Sequence, residues 1–440
     1  MSPRDAVIDL DVPAAGAPTP RRPVRSRRRI MSAAVLAFAL LAPAAAAAPA
    51  TPPLVLTRTV WVVNGASGQP VGDTLYVAQL RPERRVTAYP LAAGPPRWST
   101  VVPVLAGIIL FEEIADLVLV STTDPGTQRS DTVALDRRTG AVRWERPMRL
   151  RALDPGRGRV LLGESTRAER ADLAPAVDLV SVRAATGVRV WTYHHDDGCL
   201  SDTPSPVGDP RAGMAVLCGS ALSVVDLDTG RVRATRQVPV TSLVPGSIFG
   251  IGIAAFDDRL LVSAPALGRS VLTAFGYDDL RLQWTADLDL GNYGIASCGR
   301  LLCLFSTPHA LAVDRADGTV IWRLRAGGSV APLDDRHVLI EQAVRDTTQV
   351  VDTVTGTTVL WLAGWAPTRY RPGAPIFYRY DVPGRRLFVA ALDPGGLGLR
   401  VLGSVPEPDG DVFGCVTVGR YLVCRTVKDA VKVWRIAVSG

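Results

Sequence analysis

Apolar runs of three or four residues punctuate this chain: Leu75–Ala78, Leu117–Val120, Val160–Leu162, Leu260–Val262, Val338–Ile340 and Leu387–Val389. Each is as long as a strand and too short for a helix. A second segment then brings small or branched apolar residues up to a polar turn, as in Val133-Ala134-Leu135-Asp136 and Leu311-Ala312-Val313-Asp314. A third carries apolar residues at alternate positions, as in Val142-Arg143-Trp144, so one face of a strand is buried. No room is left for an intervening helix, which argues against βαβ architecture and predicts a sheet-only unit.

The turn and the strand after it share a frame. Asp136, Gly140 and Trp144 stand four residues apart, and Asp314, Gly318 and Trp322 repeat that spacing. Looser copies are Pro90/Gly94/Trp98, Arg183/Gly187/Trp191, Asp226/Gly230/Ala234, Gly276/Leu280/Trp284, Asp352/Gly356/Trp361 (one residue late) and Asp393/Leu397/Val401. The chemistry of the frame is simple. Asp bonds the amides of its own turn, Gly accepts positive φ without steric cost, and Trp is an apolar plate whose N–H seeks an acceptor. Trp98, Trp144, Trp191, Trp284, Trp322 and Trp361 are therefore expected to dock one sheet on the next.

Successive copies lie about 38 to 50 residues apart, the period of a four-stranded propeller blade. The expected fold is all-β, one propeller spanning 54–440. Eight copies are visible, and Tyr421–Cys424 with Val431–Trp434 make a ninth strand pair. Straight counting yields nine blades; eight is preferred, one weak unit being taken as a distorted extension. Trp61 precedes Pro90 much as Trp322 precedes Asp352, so the N-terminal strand is expected to complete the last blade and remove the ring's edges.

Charge matters chiefly at the start of the chain. The 440 residues carry a net +7, but seven arginines and three aspartates lie in residues 1–29, which leaves the remainder near +3. Nucleic acid is thus not an expected partner. Residues 1–29, with Arg21, Arg22, Arg25 and Arg27–Arg29 among several prolines, are expected to be a disordered basic cytoplasmic tail. Residues 30–50 follow as an apolar run, a proline and an Ala-rich stretch: either a cleaved signal peptide or a retained signal anchor. Ser26–Met31 also resembles a twin-arginine export signal. Either outcome puts the ring on the extracytoplasmic side of a bacterial cytoplasmic membrane, anchored or secreted.

Six cysteines form three local pairs: Cys199 with Cys218, Cys298 with Cys303, and Cys415 with Cys424. The last pair flanks a Gly-Arg turn, and a hairpin there puts the sulfurs within disulfide reach. Each bridge is expected to tie the first two strands of one blade, stabilising by roughly 2 to 3 kcal/mol on the chain-entropy estimate. A zinc site is the alternative, but no Cys-x2-Cys pair or nearby His favours it.

The Asp-x3-Gly-x3-Trp frame resembles the docking motif of the quinoprotein-like (PQQ-binding-like) β-propeller repeat family. One branch, the quinone-cofactor dehydrogenases, is known for a vicinal disulfide and a Glu/Asn/Asp calcium set. This chain has no Cys-Cys pair, and none of its residues can be assigned those roles. The resemblance favours the other branch, non-catalytic propellers of outer-membrane protein assembly, which bind partners through loops on one face. It implies a scaffold with no cofactor, no metal and no catalytic residues. A quinone-dependent dehydrogenase and a small-ligand sensor stand as alternatives.

Other clusters are weighed against plainer roles. His194-His195-Asp196-Asp197 has the residue types of a metal site, but neighbours in a strand face opposite ways, and a polar connection fits better. Asp226-Leu227-Asp228-Thr229-Gly230 resembles the opening of a calcium loop but falls on the repeat's own turn. Asp409–Asp411 is a similar turn. Two stretches look like loops longer than the repeat needs, Cys199–Arg211 and Gly364–Pro375. The second carries Trp365, Arg369, Tyr370 and Arg371, types that anchor interfaces, and is the candidate partner loop.

Overall fold

The computed structural model describes residues 54–61, 67–127, 129–165, 177–194, 199–202, 213–238, 252–256, 258–266, 269–288, 293–306, 309–325, 328–342, 347–368, 375–393, 398–407, 412–427 and 430–436. The expected tail and export signal, residues 1–29 and 30–50, lie outside them. Among the described residues no helix is long and apolar enough to cross a membrane.

Those residues form 36 strands in nine four-stranded antiparallel sheets, one sheet per blade. The chain opens with β1 (Val55–Trp61), which belongs to the last blade. Blade 1 is β2 (Ser67–Val71), β3 (Thr74–Gln79), β4 (Arg85–Pro90) and β5 (Trp98–Val101). Blade 2 is β6 (Ile108–Ile114), β7 (Leu117–Thr123), β8 (Ser130–Asp136) and β9 (Val142–Arg146). Blade 3 is β10 (Arg149–Asp154), β11 (Arg159–Ser165), β12 (Val177–Arg183) and β13 (Arg189–Tyr193). Blade 4 is β14 (Cys199–Asp202), β15 (Gly213–Cys218), β16 (Ala221–Asp226) and β17 (Val232–Gln237). Blade 5 is β18 (Gly252–Ala255), β19 (Arg259–Ala266), β20 (Arg269–Gly276) and β21 (Leu282–Leu288).

Blade 6 is β22 (Gly294–Cys298), β23 (Leu301–Ser306), β24 (His309–Asp314) and β25 (Val320–Leu324). Blade 7 is β26 (Val330–Pro332), β27 (His337–Gln342), β28 (Thr347–Asp352) and β29 (Thr358–Ala363). Blade 8 is β30 (Ala366–Pro367), β31 (Ile376–Asp381), β32 (Arg386–Leu392) and β33 (Leu399–Pro406). Blade 9 is β34 (Val412–Val418), β35 (Tyr421–Thr426) and β36 (Ala430–Arg435), completed by β1 paired antiparallel to β36.

First strands of neighbouring blades converge: β2 lies beside β6, β14 beside β18, β22 beside β26, and β2 beside β34. The last contact joins the ninth blade to the first, so the ring is closed and first strands are innermost. The core follows this layout. Instead of one interior there are nine apolar clusters, each filled by two adjacent blades. A single sheet buries neither face, and stacking around the ring buries both.

Nine blades correct the preference for eight: the weak final unit is a full blade because β1 supplies its fourth strand. Every frame falls on the turn between a third and a fourth strand. Both long "loops" are corrected at their starts, while residues 203–211 and 369–374 lie outside the described residues. Cys199–Asp202 and Ala366–Pro367 are innermost strands, too short and too rich in Pro surroundings to stand out in sequence.

Blade seams and the candidate partner loop

A repeated side-chain pairing joins the blades. In the fourth strand a bulge brings the frame's last residue opposite the residue two before its first: Trp144 opposite Ala134, Trp191 opposite Ser181, Trp284 opposite Ala274, Trp322 opposite Ala312. Each indole then reaches the turn of the next blade and donates to a carbonyl there. Trp98 donates to Arg137 at 2.8 Å, Trp144 to Ala184 at 2.6 Å, Trp191 to Leu227 at 2.9 Å, Trp284 to Arg315 at 2.8 Å, and Trp322 to Thr353 at 2.7 Å.

The frame glycine is the floor under each ring. Gly140 has φ +74°, and a Cβ there would stand 2.6 Å from Trp98; at Gly318, with φ +76°, it would stand 2.6 Å from Trp284. Glycine is thus required twice, by backbone and by ring contact. The residue two beyond the Trp closes the seam: Arg146 donates to the Gly187 carbonyl at 2.7 Å and Thr100 to the Gly140 carbonyl at 2.8 Å.

The aspartates serve the turns. Asp136 Oδ1 accepts from the amides of Arg138 and Thr139 at 3.0 and 2.9 Å, while Oδ2 pairs with Arg143 at 2.6 Å. Arg143, then these turn donors, hold the Asp136 carboxyl well below the usual range. Asp352 is lowered to about 2, first by Arg336 at 2.8 Å and then by Thr355. Asp314 Oδ1 accepts from the Ala316 amide at 2.7 Å. In the calcium-loop-like segment Asp226 bonds its own turn, and Asp228 pairs with Arg157 at 2.7 Å.

Trp361 departs from expectation. Leu360, not Trp361, lies opposite Val350, so the one-residue delay turns the indole to the other face of β29, where it is 57% exposed. It docks nothing. Blade 4 ends in Ala234, with Leu280 of blade 5 where a glycine would stand; this left-handed leucine (φ 52°) is 1% exposed. Arg236 still donates to the Leu280 carbonyl at 3.2 Å. At the closing seam β1 substitutes Thr57, which donates to the Leu91 carbonyl at 3.0 Å, and Arg58, which reaches the carbonyls of Pro90, Ala92 and Gly94. Between blades 8 and 9 a buried ion pair, Lys432 to Glu407 at 2.6 Å, joins the sheets. Sequence patterning missed these substitutes; their only signal is position within the frame.

All three disulfides form as expected: Cys199–Cys218, Cys298–Cys303 and Cys415–Cys424, with Cα separations of 4.3, 5.8 and 4.1 Å. Each joins the first two strands of a blade. Of the candidate metal cluster, His194 is exposed and 2.7 Å from Asp178; His195, Asp196 and Asp197 lie outside the described residues, as do Leu397 and Asp409–Asp411. In the partner loop Trp365 is half-buried with the Arg379 guanidinium 5.0 Å above its ring, whereas Arg369, Tyr370 and Arg371 lie outside the described residues.

The family described as outer membrane protein assembly factor BamB matches residues 82–244. No curated protein matches the chain in sequence. Among solved structures, BamB from Moraxella catarrhalis is similar at 14% identity over 88% of this chain and 99% of that one, with a TM-score of 0.46. A eukaryotic initiation factor aligns at 11% identity over 86% and 93%, TM-score 0.55. Quinohemoprotein alcohol dehydrogenase from Comamonas testosteroni aligns at 11% over 65% and 72%, TM-score 0.42. At such identities the likeness is one of fold alone. The Asp-Gly-Trp frame and the seams it builds make the described residues a nine-bladed β-propeller, of which residues 82–244 match the assembly-factor family model.

Proposed function

We propose that this chain is an exported or membrane-anchored, non-catalytic scaffold that binds a protein or cell-envelope partner through loops of its ring. The observation that carries the reading is Trp365. A partly buried indole, packed at the edge of the blade 7–8 core with a guanidinium 5.0 Å from its ring, precedes the Arg369–Arg371 segment in sequence. Rigid aromatics beside arginines are the residues from which interface hot spots are made. The match to an assembly-factor family over residues 82–244 supports the same reading. Three disulfides fit an oxidising, extracytoplasmic compartment.

Chemical cross-linking in intact cells, followed by mass spectrometry, tests it. Reproducible cross-links from the 364–375 region to one envelope protein, lost in W365A, are expected. Capture no greater than in a tag-only control sinks the reading.

A further inference from the structure

Innermost strands have open space on one side only, the central channel and its mouths. Most of them are built of small or apolar residues, such as Gly252–Ala255, Gly294–Cys298 and Val330–Pro332. Strand β10 differs. It reads Arg149-Leu150-Arg151, and both arginines are exposed while Leu150 between them is partly buried against the seam with blade 2. The pairing of β10 with β11 passes from Leu150–Leu162 directly to Ala152–Leu161, so Arg151 is the extra residue of a β-bulge. A bulge re-aims a side chain, and bulges gather where a site needs one re-aimed.

Two further facts concern the charge. Neither guanidinium has a hydrogen bond or ion pair with any described residue. Desolvation, then the neighbouring Arg149, lowers the Arg151 pKa although the residue reaches solvent. Protein crowds the guanidinium on one side while the residue stays open to water, and the charge acting on it is another cation. Several arginines elsewhere in the ring are matched: Arg97 with Asp73 at 2.6 Å, Arg143 with Asp136 at 2.6 Å, Arg336 with Asp352 at 2.8 Å. The pair on β10 sits at close positions of one strand, repels itself and has no counter-charge among the described residues.

We propose that Arg149 and Arg151 form an oxyanion-binding site on the channel wall of blade 3, for a phosphate or carboxylate group gripped by two guanidinium forks. Planar forks match the oxygens of such groups two at a time, and neighbouring charges of one sign concentrate anions. The site is independent of the scaffold reading, since it faces the channel and needs no loop.

Thermal unfolding of the full chain in sodium phosphate, sodium succinate and sodium chloride at equal ionic strength tests it. Phosphate or succinate is expected to raise Tm saturably over chloride, and whichever acts at lower concentration identifies the source of the oxyanion. R149Q/R151Q is expected to weaken that response by about tenfold or more, while its Tm in chloride stays at or above that of the parent because repulsion is removed. R151K, which keeps charge but not the fork, falls between. No saturable rise in the parent, or an undiminished rise in R149Q/R151Q, overturns the proposal. Should the double variant fail to fold, direct calorimetric titration of the parent with phosphate, chloride-matched, decides alone: absent heat of binding overturns the site.

Discussion

Where blade 3 meets blade 4, the Trp191 indole lies on Gly230; where blade 4 meets blade 5, Ala234 faces Leu280. Both seams put a side chain in the same gap, one from the outer strand behind and one from the turn ahead. The first fills it with an indole over a bare backbone, the second with a leucine from the turn over an alanine. The polar closure survives the exchange: Arg146 bonds the Gly187 carbonyl in one seam and Arg236 bonds the Leu280 carbonyl in another. What the ring requires is filled volume and a cross-blade donor, and the Asp-Gly-Trp frame is its commonest solution. Leu280 bears a left-handed backbone, a cost that glycine avoids.

The largest expected effect lies in the tryptophan seam. Trp191→Ala removes the indole and its bond to Leu227, and denaturant unfolding should show a loss of about 3–5 kcal/mol; a loss under about 1 kcal/mol would mean the Trp seams do not hold the ring. Leu280→Ala empties the other gap at about 2–5 kcal/mol, measured in the same way, and the lower half of that range is expected because its neighbour is already small. A double-mutant cycle sharpens the comparison. W191A with G230L rebuilds the Ala–Leu seam in a foreign place, and a favourable coupling of about 1–3 kcal/mol is expected; strict additivity would show that the two seams are not interchangeable solutions.

Acid separates the turns. The Asp352 carboxyl, held at about 2 by Arg336, and Asp73, held at about 2 by Arg97, contribute stability that is full above the ordinary carboxylate pKa. That contribution should fade as pH falls from about 4 to 2, and hydrogen exchange at the blade 7 turn should rise with it, whereas the blade 5 frame, with Gly276 in the Asp position, should change less. Equal acceleration at both turns would contradict this. The smallest effect belongs to Trp361→Ser. Because the indole is out of register and exposed, the unfolding free energy should change by no more than about 0.5 kcal/mol, a sharp contrast with Trp191.

Second, third and fourth strands were legible because their apolar runs and turn residues are local signals: Leu117–Val120, Asp136 and Trp144 identify themselves within one repeat. Innermost strands were not. Ala366–Pro367 is two residues long and β14 only four, and they are strands because neighbours hold them, not because their residues favour it. Trp361 was read by residue type, and one residue of register reversed its role. The candidate site was legible only in part: the disulfides and Trp365 were, but Arg149 and Arg151 look like ordinary surface charges until β10 is placed innermost.

Composition and spacing alone determined that this is an all-β repeat ring with cysteines paired in hairpins, since each such signal acts over fewer than about twenty residues. Spacing also counts nine units and sets the N-terminal strand beside the last, but tertiary structure decided nine over eight, through the pairing of Val55–Trp61 with Ala430–Arg435, some 370 residues away in sequence. It also decided which tryptophans dock and which arginines fall on an innermost strand. Those outcomes depend on the blade that arrives next to them, which no local pattern records.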